Sequence, residues 1–221
     1  MNGELIVVDD VPGAFSETVI SSYASRLEET FALALSGGPT AKRSYERLAE
    51  EAGGKVDWWD VDFYWSDERC VPPDHPDSNQ RMGREALLER VGGANAVYPM
   101  SCDEGTEAYQ MRVAEVGHFD LIHLGLGPDG HTASLFPGSP ALGADRSRLV
   151  VLNHDPSGNN PHRRMTFTLT ALARSRLVVF TVSGESKAEA MLAVRKGEAP
   201  AAQVTAEKVL WLVDRAAAPW G

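Results

Sequence analysis

A chain of 221 residues, 43% hydrophobic and 24% charged, can bury a substantial core, which excludes a disordered polymer. Its formal net charge of −10 excludes a nucleic-acid-binding face, because phosphate backbones demand basic surfaces. No apolar run approaches the roughly 18 residues of a membrane span, and the start MNGELIVVDDVPG has neither the basic head nor the apolar stretch of a secretory signal. The chain is therefore expected to be one domain over residues 1–221, cytoplasmic and monomeric, with no nucleic-acid or membrane partner. Two cysteines, Cys70 and Cys102, are too few for a disulfide framework and are expected to be separate reduced thiols.

Strand and helix patterns alternate along the chain. LIVVDD (5–10) reads as a strand, and SETVISSYASRLEE (16–29) as a helix with a serine cap. TFALALSGG (30–38) is a short apolar run ending in glycines, followed by a helix over PTAKRSYERLAEEA (39–52) with proline at its first position. VDFYWSDER (61–69) is a strand ending in charge, and NQRMGREALLERV (79–91) is helical. FDLIHLGLG (119–127) is a strand; a loop around 153–161 precedes RMTFTLTAL, a strand leading into a helical turn. SRLVVFTVSG (175–184) is a strand, ESKAEAMLAVRKG (185–197) a helix, and VTAEKVLWLVDRAAA ends the chain with a strand or short helix. Apolar strands alternating with amphipathic helices predict an α/β fold: a Rossmann-like, mainly parallel sheet with helices on both faces and room for a small additional subdomain.

Ligands of such sheets bind outside the carboxyl ends of the strands. Four stretches fall there: LSGGPT, WSDER, GLGPDGHTASLFP and VSGESK. In LSGGPTAK, Gly37 and Gly38 allow a tight turn with N–H groups facing a ligand, Thr40 follows, and the next helix adds its N-terminal partial charge, which suits a phosphate. The spacing is not that of a Walker A loop. Arg69 could grip a phosphate or carboxylate with two hydrogen bonds, and Asp67 could orient a hydroxyl or a neighbouring cation. Lys187, in the first turn of a helix, makes most sense opposite an anion.

Gly125, Gly127 and Gly130 form a literal G-x-G-x-x-G, yet a dinucleotide fingerprint needs a full helix after its third glycine. Here Pro137 and Pro140 forbid one. What remains is a glycine turn carrying Asp129 and His131, and an imidazole at that edge can act as general base near neutral pH. The six histidines lack metal-site spacing, and no G-x-S-x-G elbow occurs. No metal and no organic cofactor is expected.

LSGGPT, SDERCVP, the SN of DSNQ, GLGPDGHTASLFPG, RRMTFTLTAL and SGESKAEAM together resemble, in order, the motifs of the 6-phosphogluconolactonases, within the glucosamine-6-phosphate isomerase/deaminase superfamily. The resemblance spans roughly residues 33–192. It implies hydrolysis of 6-phospho-D-glucono-1,5-lactone to 6-phospho-D-gluconate, in the oxidative pentose phosphate pathway, without metal or cofactor. It implies His131 as general base, phosphate contacts from the Gly37–Gly38 loop with Thr40, Arg69 and Lys187, and Asp67 as an orienting group; Asn79 and Arg164 match recurring positions that could touch substrate. Asp129 either holds the imidazole or shapes the turn. Pro39, Ala41 and Gln80 depart from the family pattern and bear on loop geometry and ring contacts. The sister deaminases carry an acid just before the proline, where this chain has Phe136. A non-catalytic sugar-phosphate-binding module would need no histidine base.

Overall fold

The protein is described by a computed structural model covering residues 1–218 and 220. Seven strands form the main sheet: β1 (Glu4–Val7), β2 (Phe31–Leu35), β3 (Val61–Trp65), β5 (Ala96–Val97), β6 (Phe119–Leu124), β9 (Ser175–Val182) and β10 (Lys208–Val213). Their order is β1-β10-β9-β6-β2-β3-β5, and every pair is parallel. All five residues of β2 and all six of β6 are buried, which is why they read as continuous apolar runs. They pair with each other in register Leu33↔Leu121 and Ala34↔Ile122. The chain winds one way from β2 through β3 to β5, and the other way from β6 through β9 to β10. The winding thus reverses between β2 and β6, the place where open α/β sheets bind ligands.

Three further strands, β4 (Asp67–Arg69), β7 (Val150–Asn153) and β8 (Arg164–Phe167), form a small antiparallel sheet in the order β4-β8-β7. This corrects the single strand expected over 61–69. Ser66 separates β3 from β4 and bonds to both sheets: its N–H donates to the Leu35 carbonyl at 2.8 Å, and its carbonyl accepts from Phe167 N–H at 2.8 Å. The charged run Asp67–Arg69 after the break reads as a strand end running into a loop, so periodicity alone does not reveal a second strand.

The helices are α1 (Val11–Ala24), α2 (Pro39–Glu51), α3 (Asn79–Gly83), α4 (Glu89–Val91), α5 (Gly105–Val116), α6 (Leu169–Leu172) and α7 (Ala188–Lys196), with a π-helical stretch over Arg84–Leu88 joining α3 to α4. α1 begins five residues before the expected serine. Its cap is Asp10, whose carboxylate accepts from Gly13 N–H at 3.1 Å, while Ser16 is buried inside the helix. On α2 the residues Ala41, Ser44, Tyr45 and Leu48 are buried, the i, i+3, i+4, i+7 stripe of a helix lying on a core. α5 and β7 were not expected, and the closing segment is the strand β10.

Cys70 and Cys102 form a disulfide, their Cα atoms 5.4 Å apart. This overturns the expectation of two separate thiols. Cys70 leaves β4 directly after Arg69, and Cys102 lies three residues before α5; only the packing of the small sheet against that loop brings them together. The bridge spans 32 residues, and closing a loop of that size in the unfolded chain is worth about 3–4 kcal/mol. Cys70→Ala combined with Cys102→Ala should lower the urea-unfolding free energy by roughly that amount under non-reducing conditions; a loss below about 1 kcal/mol would show that the bridge adds little constraint.

Candidate active site

A cleft of about 480 Å³ opens at the carboxyl edge of β2, β6 and β9. Nine of the ten residues singled out from the sequence line it: Gly37, Gly38, Thr40, Asp67, Arg69, Asn79, His131, Arg164 and Lys187. The tenth, Asp129, stands behind the imidazole of His131.

The β2 exit forms one wall. Gly38 has φ +102, a conformation natural to glycine, and a Cβ there would meet nothing within 4 Å. Gly37 is required for a different reason: a side chain would collide with the Asn79 carboxamide. The missing N–H of Pro39 costs nothing at the first position of α2.

The β6 exit forms the opposite wall. After Gly130, at φ +83, the chain turns through Thr132 and Leu135, which bridge each other, and only a short 3-10 turn at Pro140–Gly143 precedes β7. Thr132 Oγ1 donates to the Gly125 carbonyl at 2.9 Å, and Ser134 N–H donates to Thr166 Oγ1 at 3.1 Å. This compact turn is not a dinucleotide fingerprint. It fixes His131, whose Nδ1 lies 2.5 Å from Asp129 Oδ1; the same carboxylate oxygen accepts the His131 backbone N–H at 3.1 Å. Asp129 therefore both shapes the turn and holds the ring. Partial burial pushes its carboxyl up, but the hydrogen bonds and charge of His131 outweigh this and hold it below the usual carboxylate range. The ring also packs on Phe136, 4.8 Å between centroids, and on Gly127, where a Cβ would overlap the imidazole. With Nδ1 engaged, Nε2 is the nitrogen left to the cleft.

The small sheet supplies the floor. Asp67 is buried; its carboxylate accepts from Ser134 Oγ at 2.6 Å and Asn79 Nδ2 at 3.1 Å, and Arg164 Nη1 lies 4.0 Å away. Glu68, the third residue of the SDER stretch, does not line the cleft. Its carboxylate accepts the N–H groups of Arg69, Asn79 and Gln80, each at 2.7 Å, and the Ser78 hydroxyl at 3.0 Å, so it caps α3 and presents Asn79. Burial pushes the Glu68 carboxyl up against those donors.

Arg69 and Arg164 are cross-strand partners in the β4–β8 ladder. Both Nε atoms are buried without a hydrogen-bond partner. Two like charges opposite each other in a sheet repel, and buried donors are normally satisfied; an anion in the cleft would answer both. Burial lowers the Arg164 pKa, Arg69 adds to that, and Asp67 opposes it. Lys187, which ends a 3-10 turn over Glu185–Lys187, is half-buried, and burial pulls its pKa down against the attraction of Asp129. Arg43 also lines the cleft and was missed; it lies one helical turn beyond Thr40, a spacing that signals a shared face. Among the described residues, no group of three His, Cys, Asp or Glu side chains is placed to hold a metal, and no helix is long and apolar enough to cross a membrane.

A model of the family "Glucosamine-6-phosphate isomerases/6-phosphogluconolactonase" matches residues 9–211. The chain belongs to that family. It is 42% identical over 205 residues to the 6-phosphogluconolactonase of Synechocystis sp., covering 84% of this chain and 82% of the relative. It is 36% identical over 208 residues to the 6-phosphogluconolactonase of Mycobacterium tuberculosis, covering 84% and 83%. The crystal structure of the 6-phosphogluconolactonase from Thermotoga maritima superposes with a TM-score of 0.82 at 31% identity, covering 95% of this chain and 98% of that one. The α/β architecture read from the sequence is that of this family.

Behind the cleft lies one histidine of another kind. His123, on β6, is fully buried against the ring of Phe15, 4.1 Å between centroids. Burial pushes its imidazole down from the ordinary 6.5 to about 3. Between those two values the unfolded chain binds a proton that the folded chain refuses. The stability contribution is therefore complete above the unfolded value and is lost as pH falls towards the folded one. Unfolding free energy should decline on acidification by about 1 kcal/mol per pH unit more in wild type than in His123→Leu; equal slopes in denaturant titrations would contradict this. Independently, Gly127→Ala should displace the ring of His131 from Asp129, seen as loss of a strongly deshielded Nδ1 proton resonance; an unchanged resonance would mean that the turn yields instead.

Proposed function

We propose that the chain hydrolyses 6-phospho-D-glucono-1,5-lactone to 6-phospho-D-gluconate, as a carboxylic ester hydrolase of the 6-phosphogluconolactonase type serving the oxidative pentose phosphate pathway. One observation carries the reading. An imidazole fixed on its Nδ1 side by a carboxylate opens onto the same cleft as a glycine loop, a lysine and three arginines. The names of the relatives and of the solved structure agree with it.

In this mechanism the phosphate is gripped by the N–H groups of the Gly37–Gly38 loop, the Thr40 hydroxyl, Arg69 and Lys187. That remote binding energy positions the lactone carbonyl. His131 Nε2 takes a proton from a water molecule, and the hydroxide attacks C1. Charge on the tetrahedral oxygen is stabilised by a neighbouring N–H group or arginine. The C1–O5 bond then breaks, and the imidazolium returns its proton to the departing ring oxygen, which becomes a hydroxyl. Asp129 keeps Nδ1 protonated and supports the transient positive ring. Asp67, already bonded to Ser134 and Asn79, orients the floor of the site. Asn79 and Arg164 border the sugar.

Phe136 argues against the sister deaminase activity. It is fully buried and packs against the His131 ring, so an apolar face stands where an acid would assist ring opening of an amino sugar. The decisive assay compares phosphorylated and unphosphorylated gluconolactone. His131→Ala should cut kcat by roughly 10²-fold or more. Lys187→Ala should chiefly raise KM for the phosphorylated lactone. Equal turnover of both lactones by wild type, or ammonia release from glucosamine-6-phosphate, would overturn the assignment.

A further inference from the structure

Near its carboxyl end β6 carries a fully buried polar side chain, His123, and neither the base nor the phosphate grip uses it. A buried polar group in the middle of a sheet is costly unless its hydrogen bonds are made. His123 makes both: Nδ1 lies 2.8 Å from Tyr45 Oη, and Nε2 lies 2.8 Å from Thr181 Oγ1. Tyr45 Oη in turn accepts the Ser36 N–H at 2.7 Å and faces the Ser36 carbonyl at 3.1 Å. Ser36 is the residue before Gly37, and both Ser36 and Thr181 line the cleft. A continuous chain of hydrogen bonds thus runs from the glycine loop after β2, through α2 and β6, to the end of β9.

We propose that His123 is a positioning residue that ties the two walls of the cleft together: through Tyr45 it holds the phosphate-gripping loop at Ser36, and through Thr181 it sets a hydroxyl oxygen as an acceptor for a hydroxyl of the bound sugar. This inference rests on the reading of the cleft as a sugar-phosphate site. The tautomer follows from counting hydrogens. Tyr45 Oη has a single proton. If it goes to His123, the Ser36 carbonyl loses its Tyr45 donor. If it goes to Ser36, Tyr45 Oη accepts from both Ser36 N–H and His123 Nδ1–H, and every group is satisfied. Nε2 is then bare and accepts the Thr181 hydroxyl proton. With that proton turned inwards, Thr181 offers the cleft lone pairs alone. Lone pairs repel phosphate oxygens and suit a sugar O–H, so the two ends of the relay act on different parts of one ligand.

The test separates them. In wild type, nitrogen NMR of His123 should show a protonated Nδ1 and a bare Nε2; the opposite tautomer overturns the assignment. Tyr45→Phe and His123→Leu should each weaken inorganic phosphate binding in calorimetry by up to about 10-fold. They should raise KM for the phosphorylated lactone in parallel, with kcat changed by less than about 2-fold. Tyr45→Phe keeps the ring and decides the matter if His123→Leu folds poorly. Thr181→Val should leave phosphate affinity intact and raise KM for phosphorylated and unphosphorylated lactones alike, and Thr181→Ser should restore it. Variants that lose stability while keeping wild-type phosphate affinity sink the inference and leave the lactonase reading standing. If wild type binds phosphate without turning over the lactone, while Tyr45→Phe still lowers phosphate affinity, the lactonase reading falls and the coupling survives.

Discussion

Between β2 and β6 the sheet reverses its winding, and their exit loops must leave in opposite directions. The two walls of the cleft follow from that divergence. The β2 loop turns into α2 through two glycines and offers backbone donors. The β6 loop turns the other way through a glycine-rich bend and offers an imidazole. The gap between them is held open by the sheet, because strands paired in fixed register cannot close on one another.

The second constraint is electrostatic. A chain with net charge −10 gathers three arginines and a lysine into one cleft. Cations in a partly dry cleft attract an anion far more strongly than the same cations in water. Arg69 and Arg164 are held opposite each other by strand pairing, so their mutual repulsion is built in by the backbone, and a 3-10 turn holds Lys187 in the same cleft. A dianionic ligand would relieve that repulsion, which would couple affinity to charge. The chain's acidic excess and the cluster of cations in the cleft are thus set apart, and the cleft is where an anion would be attracted.

A layer of buried polar contacts supports the groups that line the cleft. Glu68 caps the helix that presents Asn79; Asp67 joins that asparagine to Ser134 in the histidine turn; Asp129 fixes the imidazole. Side chains that line the cleft are thereby held by others behind them. Such pre-organisation lowers the ordering cost of binding.

The sequence by itself determined the layered class, the sheet edge where the cleft opens, and most of the residues that line it together with Asp129, because glycine turns and charged strand ends are local patterns; Asn79 and Arg164 were legible only through the family resemblance. α1 was misplaced because Asp10 outcompetes Ser16 as a cap, and α5 escaped because its apolar stripe is faint. The break at Ser66, the Cys70–Cys102 bridge, the cleft-facing Arg43 and the relay through His123 were decided by tertiary structure alone. His123 and Tyr45 are 78 residues apart in the chain. Periodicity reports which face a residue occupies; which distant side chain it meets there is set by how the sheet brings its strands and helices together.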